Sequence, residues 1–435
     1  MKRDLTCIAK ERHMTVFETV VSSVFALAAL SMLLLILAPP AQAQTETVLY
    51  NFGSQAGDGN IPEAGVIFDT NGNLYGTTGS AGAHGSGTVF ELTAGGSEKV
   101  LYSFGSQSGD GKEPYAGVIL DNAGNLYGTT SYGGTYACSN AYVCGTVFEL
   151  TAAGTEKVLH SFGNPYGYYG AKGDGTDPLA GLILDSAGNL YGTTAYGGDL
   201  ECAGYGCGTV FKLTPKGKEK SVYKEKVLYR FGRSKGDGNN PYAGLILDND
   251  GNLYGTTFDG GYYGYGTVFE LTAAGKEKVL YSFGRYKGDG LHPQSALIFD
   301  HAGNLYSTTT YGGAYGYGTV FELTADGTEK ILYSFGSQAG DAEFPLGNLI
   351  FDSYGNLYGS AYFGGAYYAG AAFELTAAGT ETVLYSFGSQ TDDVIYPYGG
   401  VIFDTNGNLY GTTAFGGDLA CLAPNGCGTI FKLTP

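Results

Sequence analysis

Gly72-Asn73-Leu74-Tyr75-Gly76-Thr77-Thr78 is the phrase on which the reading of this chain turns. It recurs unchanged at 124–130, 188–194, 251–257 and 407–413. Two altered copies stand at 303–309, with Ser307 for the second glycine, and at 355–361, which ends Gly359-Ser360-Ala361. The asparagines fall at 73, 125, 189, 252, 304, 356 and 408, so the steps are 52, 64, 63, 52, 52 and 52 residues. Self-similarity at such a period marks a repeat architecture, in which each unit buries its faces against its neighbours.

Working outward from the phrase, each unit holds four short apolar runs, labelled A to D. In the first unit they are 64–68, 73–78, 88–93 and 99–104. All are rich in Val, Ile, Leu, Phe, Tyr and Thr and bounded by Gly, Asn, Asp or Pro, which are strand signals. Four short antiparallel strands per unit predict an all-β, seven-bladed β-propeller. A β-helix would need a coil nearer 20 residues. Run D is apolar in both phases, with Val100, Tyr102 and Phe104 alternating with Leu101 and Ser103, as expected of blades buried on both faces.

The ends are out of phase with the repeat. A D run at 46–52 has no A, B or C before it, and a C run at 428–435 has no D after it. The N-terminal strand is therefore expected to complete the seventh blade, which leaves no unpaired edge.

Residues 1–43 differ from the rest. Lys2, Arg3, Lys10 and Arg12 precede an apolar run from Val20 to Ala38, and Ala41-Gln42-Ala43 offers a small-x-small cleavage site. This pattern predicts a secretory signal peptide cut before Gln44, with 44–435 as the propeller. An uncleaved membrane anchor is the alternative. With the leader go four of 23 basic and three of 41 acidic residues, leaving 19 against 38 and a net charge of −19. Such a surface argues against nucleic acid and anionic membranes as partners. No second apolar stretch of comparable length follows, so no membrane insertion is expected after cleavage, and a monomer is expected.

Loop lengths divide the two ends of the strands. The A–B turns (69–72) and most C–D turns (94–97) are short, whereas the D–A loops (105–115) and B–C loops (79–86) are long in every unit. In a meander the long loops share one face, and binding residues tend to sit on such loops. Two insertions account for the long steps: 164–172 in a D–A loop, and the basic 216–226 in a C–D turn, expected as a solvated hairpin tip.

Asp69, Asp121, Asp185, Asp248, Asp300, Asp352 and Asp404 each open an Asp-x-x-Gly-Asn turn, and a structural role follows from turn chemistry. A second aspartate recurs in Gly-Asp-Gly at Asp58, Asp110, Asp174, Asp237 and Asp289. Either a turn or a Ca²⁺ site is compatible with it. Six cysteines form three close pairs, Cys138/Cys144, Cys202/Cys207 and Cys421/Cys427, each in a lengthened B–C loop. In a secreted chain these are expected as disulfides; zinc is the rival, but no histidine flanks them. Tyrosines crowd other B–C loops at Tyr262, Tyr263, Tyr265, Tyr311, Tyr315 and Tyr317, either packing between blades or offering rings for recognition, sugars included. No Gly-x-Ser-x-Gly or His-Glu-x-x-His motif occurs. A site assembled across blades would draw on singular residues such as Glu343, Asp177 or Arg233.

The full unit, Pro-x-Ala-Gly-Leu-Ile-x-Asp-x-x-Gly-Asn-Leu-Tyr-Gly-Thr-Thr … Gly-Thr-Val-Phe-Glu-Leu-Thr … Lys-Val-Leu-Tyr-Ser-Phe, resembles the GloVer-type, "choice-of-anchor" tandem-repeat family of secreted bacterial proteins. The resemblance implies export from a bacterial cell, to the periplasm or beyond, and a propeller, without an assigned activity. More distantly, the Asp-x-x-Gly-Asn-Leu-Tyr turns look like those of NHL and SMP-30/lactonase propellers. That group implies an axial divalent metal held by Glu, Asp and Asn from several blades. The functional expectation is a non-catalytic secreted propeller binding a glycan or protein ligand on its long-loop face. The alternatives are a metal-dependent lactonase- or lyase-like enzyme and a structural surface or matrix protein.

Overall fold

A computed structural model describes residues 44–135, 144–163, 174–198, 202, 205–216, 222–389 and 394–435. Seven antiparallel sheets follow one another, each a meander in the order A-B-C-D. In blade one the strands are Ile67–Phe68, Leu74–Thr78, Thr88–Leu92 and Glu98–Ser103. Blade seven takes its fourth strand from the start of the propeller: Thr45–Asn51 pairs antiparallel with Thr429–Thr434, Thr47 opposite Lys432. The expected closure is therefore present, and the last C strand has a partner on each side.

Each word of the repeated phrase has a physical job. Gly72 takes φ +83°, a conformation open to glycine, where the A–B turn reverses. Asn73 donates its side-chain amide to Asp69 Oδ2 at 2.9 Å and accepts the backbone N–H of Ala94 at 3.1 Å, tying one turn to the next. Leu74 is core. Tyr75 reaches Glu91 on strand C at 3.0 Å. At Gly76 a Cβ would stand 2.6 Å from Cζ of the buried Phe90, so only glycine admits that ring. The Thr78 hydroxyl pairs with that of Thr88 at 2.8 Å.

Thr77 looks to the next blade. Its hydroxyl donates to the Ala116 carbonyl at 2.8 Å, and Thr129, Thr193, Thr256 and Ser360 make the equivalent bond. Thr412 closes the circle on Ala64 at 2.7 Å. In blade five the contact runs from Thr308 through Ser295 to the Leu346 carbonyl. Ser307 there bonds the carbonyls of Ser295 and Ala296, which accounts for that altered copy.

Apolar packing follows the same cycle. The phenylalanine ending each D strand meets edge-on the phenylalanine of the next C strand, from Phe104–Phe148 at 5.0 Å to Phe387–Phe431 at 5.0 Å. Phe52–Phe90 makes this contact across the closure at 5.0 Å. The A strands converge on an axial channel of about 490 Å³. Their Ala-Gly pairs reflect close backbone approach, since a Cβ on Gly65 would lie 2.9 Å from the Gly400 carbonyl oxygen.

The long loops all lie at one end and are laddered together. Gly59–Asn60 of a D–A loop pairs with Ser80–Ala81 of the B–C loop, and the same ladder recurs as Gly238–Asn239 with Asp259–Gly260. At the opposite end, the basic insertion forms a long hairpin of Thr209–Lys216 and Val222–Arg230. Tyr223 of this hairpin packs against the core between blades two and three, and the tip at 217–221 lies outside the described residues. The 164–172 insertion lies outside the described residues.

Candidate functional site

The mouth of the channel on the long-loop face is built by the segment that enters each A strand. One residue there precedes a proline in every blade: Ile61, Glu113, Asp177, Asn240, His292, Phe344 and Tyr396. All seven have φ between 56° and 61°. The conformation is imposed by two backbone bonds. Glu113 N–H donates to the Ser86 carbonyl of the preceding blade at 2.8 Å, and its carbonyl accepts Ser131 N–H at 3.0 Å. Ile61 does the same with Cys427 and Gly79. Left-handed backbone costs a side chain about 1–2 kcal/mol and is a genuine outlier for Ile, Phe or Tyr. This chain places glycine at most of its other left-handed positions. Only two further described non-glycine residues, Ala81 and Tyr368, have positive φ. Seven side chains are thus kept where glycine would relieve strain, and they are all different.

Two positions on, just past each proline, Glu63, Leu179, Tyr242, Gln294, Leu346 and Tyr398 line the channel. Blades one to four make an acidic, hydroxylated half. Tyr115 donates to Glu113 at 2.6 Å, and the Tyr196 and Tyr242 hydroxyls meet at 3.1 Å. Burial pushes Glu63 up to about 7, with the charge of Glu113 adding to it. Burial also pushes Asp177 up to about 7, with the charge of Glu113 again adding to it. Asp177 is buried and its Oδ1 has no hydrogen-bond partner. Asp259 lies 3.2 Å from Nδ1 of His292, which also contacts the Phe258 carbonyl at 3.0 Å. Blades five to seven make an aromatic half. Phe344 packs on Tyr311, Tyr317 and Phe363, and Tyr362 packs on Tyr396 and Tyr398. Carboxyls and phenols can exchange hydrogen bonds with hydroxyl groups, while flat rings can stack on an apolar sugar face.

The residues singled out from sequence scatter around this mouth. Tyr265, Tyr311 and Tyr317 join it through His292 and Phe344. Tyr262, Tyr263 and Tyr315 are exposed on loop tips, Tyr262 at 69%. Asp177 belongs to the ring. Glu343 sits in a ladder opposite Phe363, and the Arg233 backbone N–H donates to Asp237 at 2.9 Å.

The Gly-Asp-Gly aspartates each organise their own blade. Asp58 accepts Tyr50 Oη and Gly53 N–H, each at 2.8 Å, and Asp110, Asp237 and Asp289 accept the equivalent tyrosine, as does Asp341 in the altered Gly340-Asp341-Ala342 copy. His160 takes the tyrosine's place against Asp174 at 3.1 Å. A glutamate of the next D strand faces each pair. Tyr229 Oη lies 3.0 Å from Asp237 Oδ2 and 3.4 Å from Glu277 Oε2. A phenol has one proton, so the second contact fits a protonated glutamate. Accordingly, burial first and the aspartate charge second push Glu98, Glu156, Glu277 and Glu381 up to about 7. Among the described residues no group of three His, Cys, Asp or Glu side chains is placed to hold a metal ion.

Disulfides join Cys202 to Cys207 and Cys421 to Cys427, with Cα–Cα distances of 5.2 and 5.7 Å. Cys144 is disulfide-bonded, and its expected partner Cys138 lies outside the described residues.

Fold and mouth together define a seven-bladed β-propeller whose blades share one frame and differ around the axis. The chain belongs to the Gloeobacter/Verrucomicrobia repeat family, whose profile matches residues 36–202 and 178–431. Its fold is similar to extracellular domains of two proteins from B. thetaiotaomicron described as hybrid two component systems. The first has TM-score 0.55 and 13% identity over 89% of this chain, the second 0.51 and 14% over 90%. This chain spans only 39% and 41% of those two. A protein described as a gluconolactonase is similar at TM-score 0.40 and 13% identity, over 91% of this chain and 96% of that one, too distantly to inform chemistry. No curated protein matches the sequence significantly.

Proposed function

We propose that this chain is a secreted, non-catalytic propeller that binds a carbohydrate at the channel mouth on its long-loop face, with residues 1–43 as the export leader. One observation carries the reading: the seven strained, mutually different side chains at one repeat position around the axis. Strain retained by a varied set of side chains is expected where those side chains meet a ligand. The polar half of the ring would read hydroxyls and the aromatic half would stack. The acidic charge of the chain favours a neutral or cationic sugar. Disulfides and the extracellular domains that share the fold support an oxidising, exported setting.

The test is a glycan array, followed by titration of the best ligand into the parent and into Asp177→Asn, Phe344→Ala and the loop-tip double variant Tyr262→Ala/Tyr315→Ala. The mouth variants should each weaken binding about tenfold or more, and the tip variant should not. Binding lost only in the tip variant would move the site to the periphery.

A further inference from the structure

The short-turn face carries cavities of its own, where neighbouring blades meet. In blades four and five, strand B presents a tyrosine there, strand C a glutamate and strand D a lysine, all lining a cleft with the C–D turn of the next blade. Between blades four and five, Tyr254, Glu270, Lys278, Phe299 and the 324–327 turn line a cleft of about 330 Å³. Between blades five and six, Tyr306, Glu322, Lys330, Phe351 and the 376–379 turn line one of about 350 Å³. Tyr306 donates to Glu322 Oε1 at 3.0 Å, and Lys330 lies 3.7 Å from Oε2.

The same trio, Tyr127, Glu149 and Lys157, stands between blades two and three, with Lys157 3.3 Å from Glu149. That cleft is filled. The C–D turn of blade three is the elongated hairpin, which sets Tyr223 opposite Pro215. Tyr223 packs against the cluster containing Tyr127 and Leu184. Tyr127 Oη, in that cluster, lies 3.2 Å from Asp121 Oδ2 and 3.3 Å from Glu149 Oε1. Burial registers the difference. Tyr127 and Glu149 are each 6% exposed, whereas their counterparts in blades four and five stay partly exposed. The molecule thus shows, in one copy, which chemical group this cleft accommodates.

We propose that the open clefts between blades four and five and between blades five and six bind a phenolic ring, in the place Tyr223 takes between blades two and three. The ring would lie against the Tyr and Phe side chains and the turn backbone. Its hydroxyl would pair with the tyrosine–glutamate group, Tyr306 with Glu322 in one of the two clefts. The ring can come from a free phenol or from a tyrosine side chain of a partner. The inference does not depend on the carbohydrate reading of the opposite face.

Calorimetric titration of the purified chain with p-cresol, toluene and N-acetyltyrosinamide tests it. The p-cresol isotherm should saturate, and toluene should bind about tenfold more weakly, for want of the hydroxyl's hydrogen bond. Ala325→Phe/Ala377→Phe, at exposed turn positions in the two clefts, should abolish that binding without lowering the melting temperature. Tyr223→Ala should add one site to the stoichiometry, provided its melting curve stays cooperative. N-acetyltyrosinamide binding at least as tightly as p-cresol points to a tyrosine-bearing partner; weaker binding points to a free phenol, and both support the cleft. Absence of saturable p-cresol binding, equal affinity for toluene, or an unaffected blocked variant overturns the proposal.

Discussion

The two ends of the propeller spend the same repeat in opposite ways. On the short-turn face, seven aspartates repeat one geometry: Asp69 Oδ1 accepts the N–H groups of Asn71 and Asn73, each at 2.8 Å, and Asp404 accepts those of Asn406 and Asn408 at 2.8 and 2.9 Å. On the long-loop face, seven residues again share one backbone conformation, yet range from Ile61 to Glu113 to Phe344. Identity of side chain goes with a local hydrogen-bonding duty that admits few solutions. Diversity goes with a position whose conformation is held by backbone bonds, so that no single side chain is required by the turn. Constant backbone with varied side chains is how a repeat fold builds an asymmetric site from equivalent parts.

The largest expected effect tests the frame that both ends share. Deleting residues 44–53 removes the strand paired with Thr429–Thr434 and the fully buried Phe52. It should abolish cooperative unfolding, and Phe52→Ala alone should cost about 3–5 kcal/mol in denaturant titration. A deletion variant that melts like the parent would refute closure.

Acidity acts on the two ends with opposite sign. Five glutamates facing the Gly-Asp-Gly loops, among them Glu98 and Glu277, are raised by burial to about 7 from an ordinary 4.5. A raised carboxyl binds more protons folded than unfolded, so its contribution is full below about pH 4.5 and is lost as pH rises through 7. The turn aspartates run the other way. Burial opposes it, but the combined hydrogen bonds of Asn73 and Asn71 hold Asp69 below the ordinary carboxylate range. Their contribution is present above about pH 4 and fades as pH falls through the lowered value. The melting temperature should therefore decline from pH 5 to pH 8, and Glu277→Gln should flatten that slope. A melting temperature that climbs across this window would show the glutamates to be ionised in the folded protein.

A single blade can set the ends against each other. Asp69→Ala strips five hydrogen bonds from the A–B turn and should cost about 1–3 kcal/mol. Ile61→Gly, in the same blade, trades left-handed strain for chain entropy and should stay within about 1 kcal/mol of the parent. Chemical denaturation of both variants decides it, and equal losses would erase the difference between the two ends. The smallest effect is expected from reduction. Each disulfide between Cys202 and Cys207 or between Cys421 and Cys427 closes a short ring, so it should contribute at most about 2–3 kcal/mol, seen as a modest drop in melting temperature with reductant.

Much of the frame was legible in the chain because repetition multiplies weak signals. Four strand-like runs at seven copies fix blade number, and the out-of-phase ends fix the closure. The turn role of Asp69 and its six counterparts was also legible, because an Asp-x-x-Gly-Asn turn satisfies its bonds within five residues. The mouth was not. A residue before proline is ordinarily driven to extended backbone, so nothing marked Ile61 or Phe344 as left-handed. Asp177 stood out only as a singular residue, and the exposed Tyr262 and Tyr315 drew notice through local crowding rather than position.

Local bonding, then, was written in the sequence: strands, turns, the cysteine pairs and the blade count all depend on residues a few positions apart. The three-dimensional structure alone decided what meets across blades. Tyr196 of blade three reaches Tyr242 of blade four at the channel mouth, Tyr223 packs against the cluster that holds Tyr127, and Thr412 bonds Ala64 across the closure. Such contacts are set by the rotation from one blade to the next, a quantity that the packing of Phe52, Phe104 and their counterparts fixes and that no single stretch of chain encodes.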